Sequence, residues 1–300
     1  MKSLKIAVLL STYNGEKFLK EQLDSILAQT YENFILYIRD DGSTDGTKSI
    51  LQDYQQKDSR IELEFGENLG YSQSFFSMLR TVEADLYAFC DQDDVWMANK
   101  LEVAQSAFQD EKKPTLWFSN IEICDAQMNH IADGKKDRFY SFEHSLFTNV
   151  ATGMSMVINA AARNLIVSHD FSEIKIHDFW AYRVCAAFGE VLYDPQPLVR
   201  YRRHGSNASD YSYNNLQRYI LGLKRVFFTD IYKDTKKELI IFQTSYGNEL
   251  SPEKKQTIDL FANYKLNLLV RLRKVFFGKR LKDNWVNELI IRFLLLIGVI

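Results

Sequence analysis

The chain has 300 residues, of which 46% are hydrophobic and 14% aromatic. This length and composition allow one large buried core with an appendage, and they exclude a disordered chain. The formal net charge of −2 and the pI near 6.2 exclude general binding to nucleic acid, because nucleic-acid-binding domains carry a basic excess. Any phosphate recognition must therefore be local.

The cysteines and the N-terminus indicate a cytoplasmic protein. The three cysteines lie far apart without a CxxC pair, so neither a disulfide framework nor a zinc site is indicated, and a reducing compartment is expected. The apolar stretch Ile6–Leu10 is too short, and too soon followed by polar residues, to be a signal peptide. We therefore expect the protein to stay in the cytoplasm.

Up to about Asn120 the chain alternates short β-rich apolar runs with helical patterns, which predicts an α/β fold with a mostly parallel sheet flanked by helices. The predicted strands are Lys5–Leu10, Phe34–Arg39, Ile61–Phe65, Leu86–Cys90 and Leu116–Asn120. Between the first two, leucines and isoleucines recur at helical spacing over residues 19–27 and predict a helix on the sheet. In open α/β sheets ligands bind beyond the carboxyl ends of the strands, so the polar residues found there are the functional candidates.

Polar loops follow the first two predicted strands. The first is Ser11-Thr12-Tyr13-Asn14-Gly15, and the second runs from Asp40 to Gly46. Adjacent carboxylates at a strand end are costly unless donors use them, and a nucleobase imide and ribose hydroxyls are such donors. Ser43 and Asp45 are expected to cap the next helix. Asp41, which capping does not need, is the candidate for nucleoside binding.

An acidic loop, Asp91-Gln92-Asp93-Asp94-Val95-Trp96, follows the fourth predicted strand. Its carboxylates raise one another's pKa unless a cation compensates them. Mg²⁺ or Mn²⁺ would do so, since hard cations take one or two carboxylates and leave other positions to substrate phosphates. The alternative is an acidic first turn for a helix over Lys100–Gln109, which explains Asp94 better than Asp91.

The segment Ile176-His177-Asp178-Phe179-Trp180 opens another predicted helix. A carboxylate beside aromatic residues suits a general base, because desolvation lifts its pKa and a flat wall can hold an acceptor sugar. The alternative is a helix cap at Asp178, with Phe179 and Trp180 in the core.

Arg202-Arg203-His204 follows a predicted strand over Pro197–Tyr201. Guanidinium binds phosphate oxygens in pairs, and imidazole is a common metal ligand, so this run suits a diphosphate with its metal. An ordinary structural histidine is the alternative for both His177 and His204.

These motifs, in this order, resemble the family 2 glycosyltransferases with the GT-A fold over about the first two thirds of the chain. The residues that carry the resemblance are Ser11-Thr12-Tyr13-Asn14, Asp40-Asp41-Gly42-Ser43, Glu67-Asn68-Leu69-Gly70, Asp91-Gln92-Asp93-Asp94, Thr152-Gly153, His177-Asp178 and Arg202-Arg203-His204. Within the family, Asp91–Trp96 together with His177–Trp180 is most similar to bacterial rhamnosyltransferases of surface polysaccharide synthesis.

The resemblance implies a role for each matching residue. Ser11, Tyr13 and Asp41 would contact the nucleoside, and Asp91 the ribose or sugar. Asp93 would bind the metal.

On the acceptor side, the resemblance implies that Asp178 is the catalytic base. His204, with Arg202, would complete the diphosphate and metal site. The role of His177 stays open, because many relatives carry another residue before the base.

The implied reaction is metal-dependent, inverting transfer of rhamnose from TDP-rhamnose to a saccharide acceptor, with a lipid-linked acceptor favoured. One alternative keeps this mechanism with a UDP-hexose donor. A second is a non-catalytic nucleotide- or saccharide-binding module, against which intact Asp93, Asp178 and His204 count. A third is nucleotidyl transfer, for which Lys17 is a weak candidate.

The resemblance and the composition together divide the chain into two predicted domains. Residues 1–207 form the catalytic domain, with a nucleotide-sugar-binding half (1–120) and an acceptor half (121–207) that includes an exposed loop at Asp133–Asp137. Residues 208–300 form a helical extension.

Every charge from Lys265 to Lys282 is basic, and Arg271, Arg273, Lys274, Lys279, Arg280 and Lys282 alternate with apolar residues. This pattern predicts a helix lying on an anionic membrane surface, on the inner face of the cell membrane. The alternative is packing on the catalytic domain or on a second subunit, which would give a homodimer.

Overall fold

The computed structural model describes residues 3–110, 112–134, 139–205, 231–263 and 267–299. The chain divides into two compact units. The first contains Met1–Arg138 and Asn149–His204, and the second contains Phe139–Thr148 and Gly205–Ile300. The predicted boundary between 207 and 208 and most of the predicted loop at Asp133–Asp137 lie outside the described residues.

The first unit is an α/β domain built on one sheet. Its strands are β1 (Ile6–Thr12), β2 (Phe34–Asp40), β3 (Ile61–Phe65), β4 (Leu86–Cys90), β5 (Val95–Trp96), β6 (Thr115–Cys124), β7 (His130–Asp133), β8 (Met156–Asn159) and β9 (Glu190–Arg202). Its helices are α1 (Leu19–Leu27), α2 (Thr47–Lys57), α3 (Tyr71–Thr81), α4 (Lys100–Ala107), α5 (Ala160–Val167) and α6 (His177–Phe188). The strand order is β3-β2-β1-β4-β8-β6-β9-β5, and β7 pairs with β6.

The first four strands are parallel neighbours, and helices connect them. Because β1 pairs with both β2 and β4, with Thr12 opposite Asp40 and Leu10 opposite Cys90, the carboxyl ends of these strands lie at one edge of the sheet. Leu19, Leu23 and Ile26 of α1 are fully buried against this sheet. The predicted parallel sheet is confirmed for this half.

Beyond β4 the sheet is mixed. β8 pairs antiparallel with both β4 and β6, so the residues before β8 arrive at the edge where β4 ends. β9 is parallel to β6, and its end pairs antiparallel with β5, Arg200 lying opposite Val95. These two pairings bring the 3₁₀ turn Gly153–Ser155 and the residues after β9 to the acidic loop between β4 and β5.

The five strands predicted up to Asn120 are confirmed, most of them within two residues at each end. Two predicted elements of the acceptor half are also confirmed, since α6 begins at His177 and Pro197–Tyr201 lies within β9. The sequence analysis did not identify β8 and α5. All three cysteines are buried free thiols.

In the second unit, the described helices are α7 (Ile231–Tyr246), α8 (Pro252–Phe261), α9 (Leu268–Val275) and α10 (Trp285–Ile297). The short segment Phe139–Thr148 packs against them, as the ring centroids of Phe142 and Phe242 lie 5.9 Å apart and those of Phe147 and Phe261 5.4 Å apart. The predicted helical extension is therefore present. No helix in the part of the chain that the structure describes is both long and apolar enough to cross a membrane.

The basic stretch only partly lies at the surface. The Lys274 ammonium is buried and donates to the carbonyl of Phe261, and Lys282 donates to the carbonyl of Phe147. Burial lowers the pKa of each lysine to about 8. The prediction that Lys274 and Lys282 face a membrane is thus wrong, because both close backbone hydrogen bonds inside the unit.

Candidate active site

Hydrogen bonds join the end of β1 and its loop to α3 and to the acidic loop after β4. The Ser11 hydroxyl donates to the hydroxyl of Ser74 at 2.8 Å. The main chain of Tyr13 exchanges two hydrogen bonds with the side-chain amide of Gln92, at 2.8 and 3.0 Å. The Tyr13 side chain is 47% exposed. Its ring therefore offers an open aromatic face at the rim of the sheet edge.

Asp41 is buried, with 2% of its surface exposed. One carboxylate oxygen pairs with Arg39 and accepts the Leu69 N–H at 2.9 Å, and the other accepts the Gly70 N–H at 2.8 Å. Gly42 follows with φ +85°, a conformation that favours glycine. Asp41 thus fixes the loop before α3.

Neither of the two expected caps occupies the cap position of α2, which is Gly46. The Ser43 hydroxyl donates to Asp40 at 2.5 Å and accepts the Asn14 N–H at 2.9 Å, so it joins two loops and does not cap α2. Asp45 accepts the N–H of Thr47, the first residue of α2, at 3.0 Å.

The acidic loop brings three carboxylates close to one another. Desolvation, followed by the charges of Asp93 and Asp178, raises the pKa of Asp91. Desolvation, followed by the charges of Asp93 and Asp91, raises the pKa of Asp94 well above its usual range. Asp94 is not in the first turn of α4, whose cap position is Asn99; its Oδ1 accepts the Arg202 N–H at 2.9 Å.

Arg202 lies under this loop, with 1% of its surface exposed. Its guanidinium donates to the carbonyl of Asp93, to the carbonyl of Ala126 and to the carboxylate of Glu21, each at 2.8 Å. These contacts fix the main chain of Asp93. Arg202 therefore stabilises the conformation of the acidic loop through buried hydrogen bonds.

Asp93 and His204 meet at the sheet edge, with Asp93 Oδ2 and His204 Nε2 2.7 Å apart. Both side chains are partly exposed, at 17% and 12%. Among the described residues, no three His, Cys, Asp or Glu side chains form a group that could hold a metal ion. Two protein ligands still fit Mg²⁺ or Mn²⁺, which leave their other positions to substrate phosphates and water. Among the described residues, the buried Oδ2 of Asp94, in the same loop, accepts no hydrogen bond.

Asp178 lies in the first turn of α6, across the sheet edge from Asp91. Its Oδ2 accepts the Gly153 N–H at 2.9 Å, and its Oδ1 accepts the Phe179 N–H at 2.6 Å. Desolvation raises the pKa of Asp178 to about 6, against these hydrogen bonds, which lower it. Its cap position is taken by Ile176, so the carboxylate is not a helix cap.

The alternative that places Trp180 in the core is confirmed, and His177 beside the predicted base is buried as well. Trp180 is 1% exposed and belongs to the core, so it cannot form a wall for an acceptor sugar. His177 is buried and stacks on Phe75, with ring centroids 4.2 Å apart. Within the described residues neither His177 ring nitrogen has a hydrogen-bond partner, and burial lowers the pKa of His177 to about 3.

The site also uses residues that the sequence analysis did not single out for it. Gln92 joins the loop after β4 to that after β1, and Asn149 contributes a hydrogen bond to Asp178. Lys100, the first residue of α4, is fully buried and donates to the carbonyl of Met154 at 3.0 Å. The tract between Val95 and Lys100 carries no sequence signal for such a buried cation.

Solved structures define the fold class. S. aureus TarS, residues 1–349, superposes with a TM-score of 0.61 at 16% identity, covering 98% of this chain and 80% of that one. The mannosyltransferase PcManGT of Pyrobaculum calidifontis, solved with GDP-Man and Mn²⁺, gives a TM-score of 0.52 at 15% identity, with coverage of 91% and 71%. The predicted GT-A fold is confirmed.

Sequence comparison gives the family. The family model described as "Glycosyl transferase family 2" matches residues 7–163, more than half of the chain. This chain therefore belongs to glycosyl transferase family 2 and is a transferase. An uncharacterised glycosyltransferase of Rickettsia typhi is 25% identical over 253 residues, covering 82% of this chain and 77% of the relative. The dTDP-rhamnosyl transferase RfbG of Shigella flexneri is 26% identical over 214 residues, covering 66% and 72%.

A relative with a different donor is also similar. The UDP-Glc:alpha-D-GlcNAc-diphosphoundecaprenol beta-1,3-glucosyltransferase WfgD of Escherichia coli is 32% identical over 119 residues, covering 39% of this chain and 46% of that protein. The relatives thus include a rhamnosyl transferase and a glucosyltransferase, which differ in the sugar they transfer.

Proposed function

We propose that this protein is an inverting, metal-dependent hexosyltransferase in which Asp178 is the catalytic base. The observation that carries the proposal is the position of Asp178: a desolvated carboxylate, held by the Gly153 N–H, that faces the Asp91 end of the acidic loop. Its pKa of about 6 leaves the carboxylate ionised at neutral pH, yet basic enough to accept a proton as a nucleophile attacks.

The reaction is a single displacement. An acceptor hydroxyl loses its proton to the Asp178 carboxylate while its oxygen forms a bond to the anomeric carbon. The bond from that carbon to the diphosphate breaks on the opposite face, so the configuration inverts. No protein acid needs to protonate the diphosphate once its charge is balanced, which is why one carboxylate beside the sugar is enough.

The donor site is assigned to the residues at the ends of β1, β2 and β4. Ser11, the exposed ring of Tyr13 and the remaining acceptor capacity of Asp41 suit a nucleoside. Asp91, between the nucleoside side and Asp178, suits the ribose or sugar hydroxyls. For Arg202 we propose a supporting role, holding the main chain of Asp93, in place of direct diphosphate binding.

Asp93 and His204 would hold Mg²⁺ or Mn²⁺, which would supply positive charge for the leaving diphosphate. The 2.7 Å separation of Asp93 Oδ2 and His204 Nε2 supports this assignment, because two ligands of one small cation lie close together.

The proposed donor is TDP-rhamnose, with a saccharide, favoured as lipid-linked, as the acceptor. The similarity to RfbG over 66% of this chain supports the donor, and WfgD, whose name gives a diphosphoundecaprenol acceptor, supports a lipid-linked acceptor. WfgD also makes a UDP-hexose the second candidate donor. Inversion of a β-linked rhamnosyl donor would give an α-rhamnoside, so NMR of the product tests the stereochemistry.

The test is release of nucleoside diphosphate from TDP-rhamnose, UDP-glucose, UDP-GlcNAc and GDP-mannose, with Mn²⁺ or EDTA and a rhamnose-terminated lipid-like acceptor. Wild type is compared with Asp178→Asn and with Asp53→Asn, a matched change at an exposed position of α2. We expect metal-dependent release from TDP-rhamnose, lost in Asp178→Asn and kept in Asp53→Asn.

Release from a UDP-sugar would keep the mechanism and change the donor. Tight nucleotide binding without turnover on any donor and acceptor would refute the enzyme proposal and favour a binding module. Full activity of Asp178→Asn would refute the assignment of the base.

We also propose that α10 rests on the inner face of an anionic membrane. Trp285, Leu289 and Phe293 project from the same side of this helix, each more than half exposed, and Arg273 of α9 is an exposed cation in the same unit. Flotation with vesicles containing phosphatidylglycerol should be lost on changing the three apolar residues to serine, and kept in Ile240→Ser of α7. If the wild type instead forms a dimer that the triple variant cannot form, a second subunit covers this face.

A further inference from the structure

Lys100 lies in an unusual place for a lysine. It is the first residue of α4, none of its surface is exposed, and its ammonium lies 3.2 Å from the centroid of the Trp96 ring. A buried ammonium is costly, so the position calls for a specific electrostatic partner. Helix capping does not explain it, because Asn99 occupies the cap position.

The partner is the main chain of the turn that precedes β8. Lys100 Nζ donates to the carbonyl of Met154 at 3.0 Å, inside the 3₁₀ turn Gly153–Ser155. The preceding residue of that turn, Gly153, donates its N–H to Asp178 at 2.9 Å. Two hydrogen bonds, joined by the backbone of Gly153 and Met154, therefore connect the ammonium of Lys100 to the proposed base.

Lys100 also interacts electrostatically with the carboxylates of the acidic loop. Desolvation lowers the pKa of Lys100 to about 7, and the carboxylates of Asp94 and Asp91, with the thiol of Cys90, act in the opposite direction. The ammonium thus lies between the acidic loop, whose carboxylates it attracts, and the turn that holds Asp178.

We propose that Lys100 is a positioning residue for sugar transfer, which holds the turn Gly153–Ser155 and, through the Gly153 N–H, sets the Asp178 carboxylate beside the acidic loop. The inference rests on the proposed function, in which Asp178 is the base. Because Lys100 is fully buried, we assign it no contact with substrate or with the reacting atoms. Its effect is to join the donor half of the site to the acceptor half.

A lysine that merely fills space would be replaceable by an apolar side chain of similar length. Lys100→Met keeps the unbranched chain and removes the ammonium, while Lys48→Met makes the same change at an exposed position of α2. We expect Lys100→Met to lower kcat about tenfold to a hundredfold, the range for losing a hydrogen bond that involves a charged group, with KM for the donor changed less than threefold. Lys48→Met should match wild type.

The pH profile separates positioning from packing. The groups that face Asp178 are the Asp91 carboxylate, the Asn149 side chain and the N–H groups of Gly153 and Phe179. Because the Gly153 hydrogen bond lowers the pKa of Asp178, weakening it should move the acid limb of kcat upward from about pH 6. A variant that only loosens the core would lower activity without moving this limb.

Amide hydrogen exchange gives a readout that does not depend on turnover. In Lys100→Met the amides of Gly153–Ser155 should exchange at least tenfold faster than in wild type, while those of β1 and β2 stay unchanged. Unchanged exchange in the turn, or an unmoved acid limb with full kcat, would overturn the positioning role. If wild type turns over no donor, the proposed function fails, and the exchange result still decides whether Lys100 holds the turn.

Discussion

Burial of His177 should make the stability of the folded protein depend on pH, and this dependence can be measured without any substrate. Its ring is buried against Phe75 and Phe89, and in the described structure neither nitrogen finds a partner. Its position at the start of α6 opposes protonation as well, because the N-terminus of a helix carries partial positive charge. Burial thus lowers the pKa of His177 from 6.5 to about 3.

The sign and size of the effect follow from linkage. Between these two pKa values the unfolded chain binds a proton that the folded protein does not, so the stability present above pH 6.5 is lost as pH falls. pH 5 lies 1.5 units below the pKa of 6.5 that His177 has in the unfolded chain. The unfolding free energy should therefore be about 2 kcal/mol lower at pH 5 than at pH 8. His177→Phe keeps the ring and removes the titration, so it should lack this part of the loss.

Urea unfolding at pH 8 and at pH 5 measures the difference. Trp96, Trp117 and Trp180 are all buried in the first unit, so their fluorescence reports its unfolding. Comparing the change in unfolding free energy between the two pH values cancels the baseline cost of the substitution and the titration of the carboxylates that both proteins share. His169→Phe, at a partly exposed position, is the matched control.

The expected result is a fall between pH 8 and pH 5 that is about 2 kcal/mol smaller in His177→Phe than in wild type, with His169→Phe following wild type. Equal pH dependence in wild type and His177→Phe would refute the reasoning. It would mean that His177 is protonated in the folded protein or reaches solvent.

Three further predictions concern the site. Since the carboxylate form of Asp178 is the proposed base, kcat should fall as pH drops below about 6, and Asp178→Asn should lower kcat by about a hundredfold or more with donor KM little changed; a flat profile between pH 5 and 7 would contradict this. Asp93→Asn should weaken Mn²⁺ binding by about tenfold in calorimetry with nucleoside diphosphate present, whereas Asp53→Asn, at an exposed position of α2, should not; equal affinities would remove Asp93 from the metal site. Arg202→Lys keeps the charge and loses the fork that reaches Asp93, Ala126 and Glu21, so unfolding free energy should drop by about 3 kcal/mol in urea, against no loss for Arg80→Lys; a stable variant would show that these contacts are dispensable.

Those parts of the site that follow from local sequence patterns could be predicted from the sequence. The loops after β1, β2 and β4 each follow a short apolar run, and parallel strands place their carboxyl ends together. The start of α6 at His177, which positions Asp178, was also readable from the helical pattern that follows. The roles of these residues in binding and catalysis stay predictions.

Other parts of the site depend on pairing between distant segments, which local patterns do not encode. The Gly153 turn reaches Asp178 because β8 inserts antiparallel between β4 and β6, and β8 has only four residues. The sequence predicted that Arg202 binds the diphosphate and that the basic stretch faces a membrane, yet Arg202 and Lys274 are buried. A long cationic side chain can place its ammonium or guanidinium on buried carbonyls, and sequence alone does not reveal which one does so.

The segment Phe139–Thr148 limits how this protein can be dissected or recombined. It leaves the first unit and returns to it, while its side chains pack among α7, α8 and the residues near Leu281. A truncation that ends at residue 205 would remove the helices that bury Phe142 and Phe147. The exposed rings would make the truncated protein prone to aggregation. An exchange of C-terminal regions between relatives would therefore have to include this ten-residue segment.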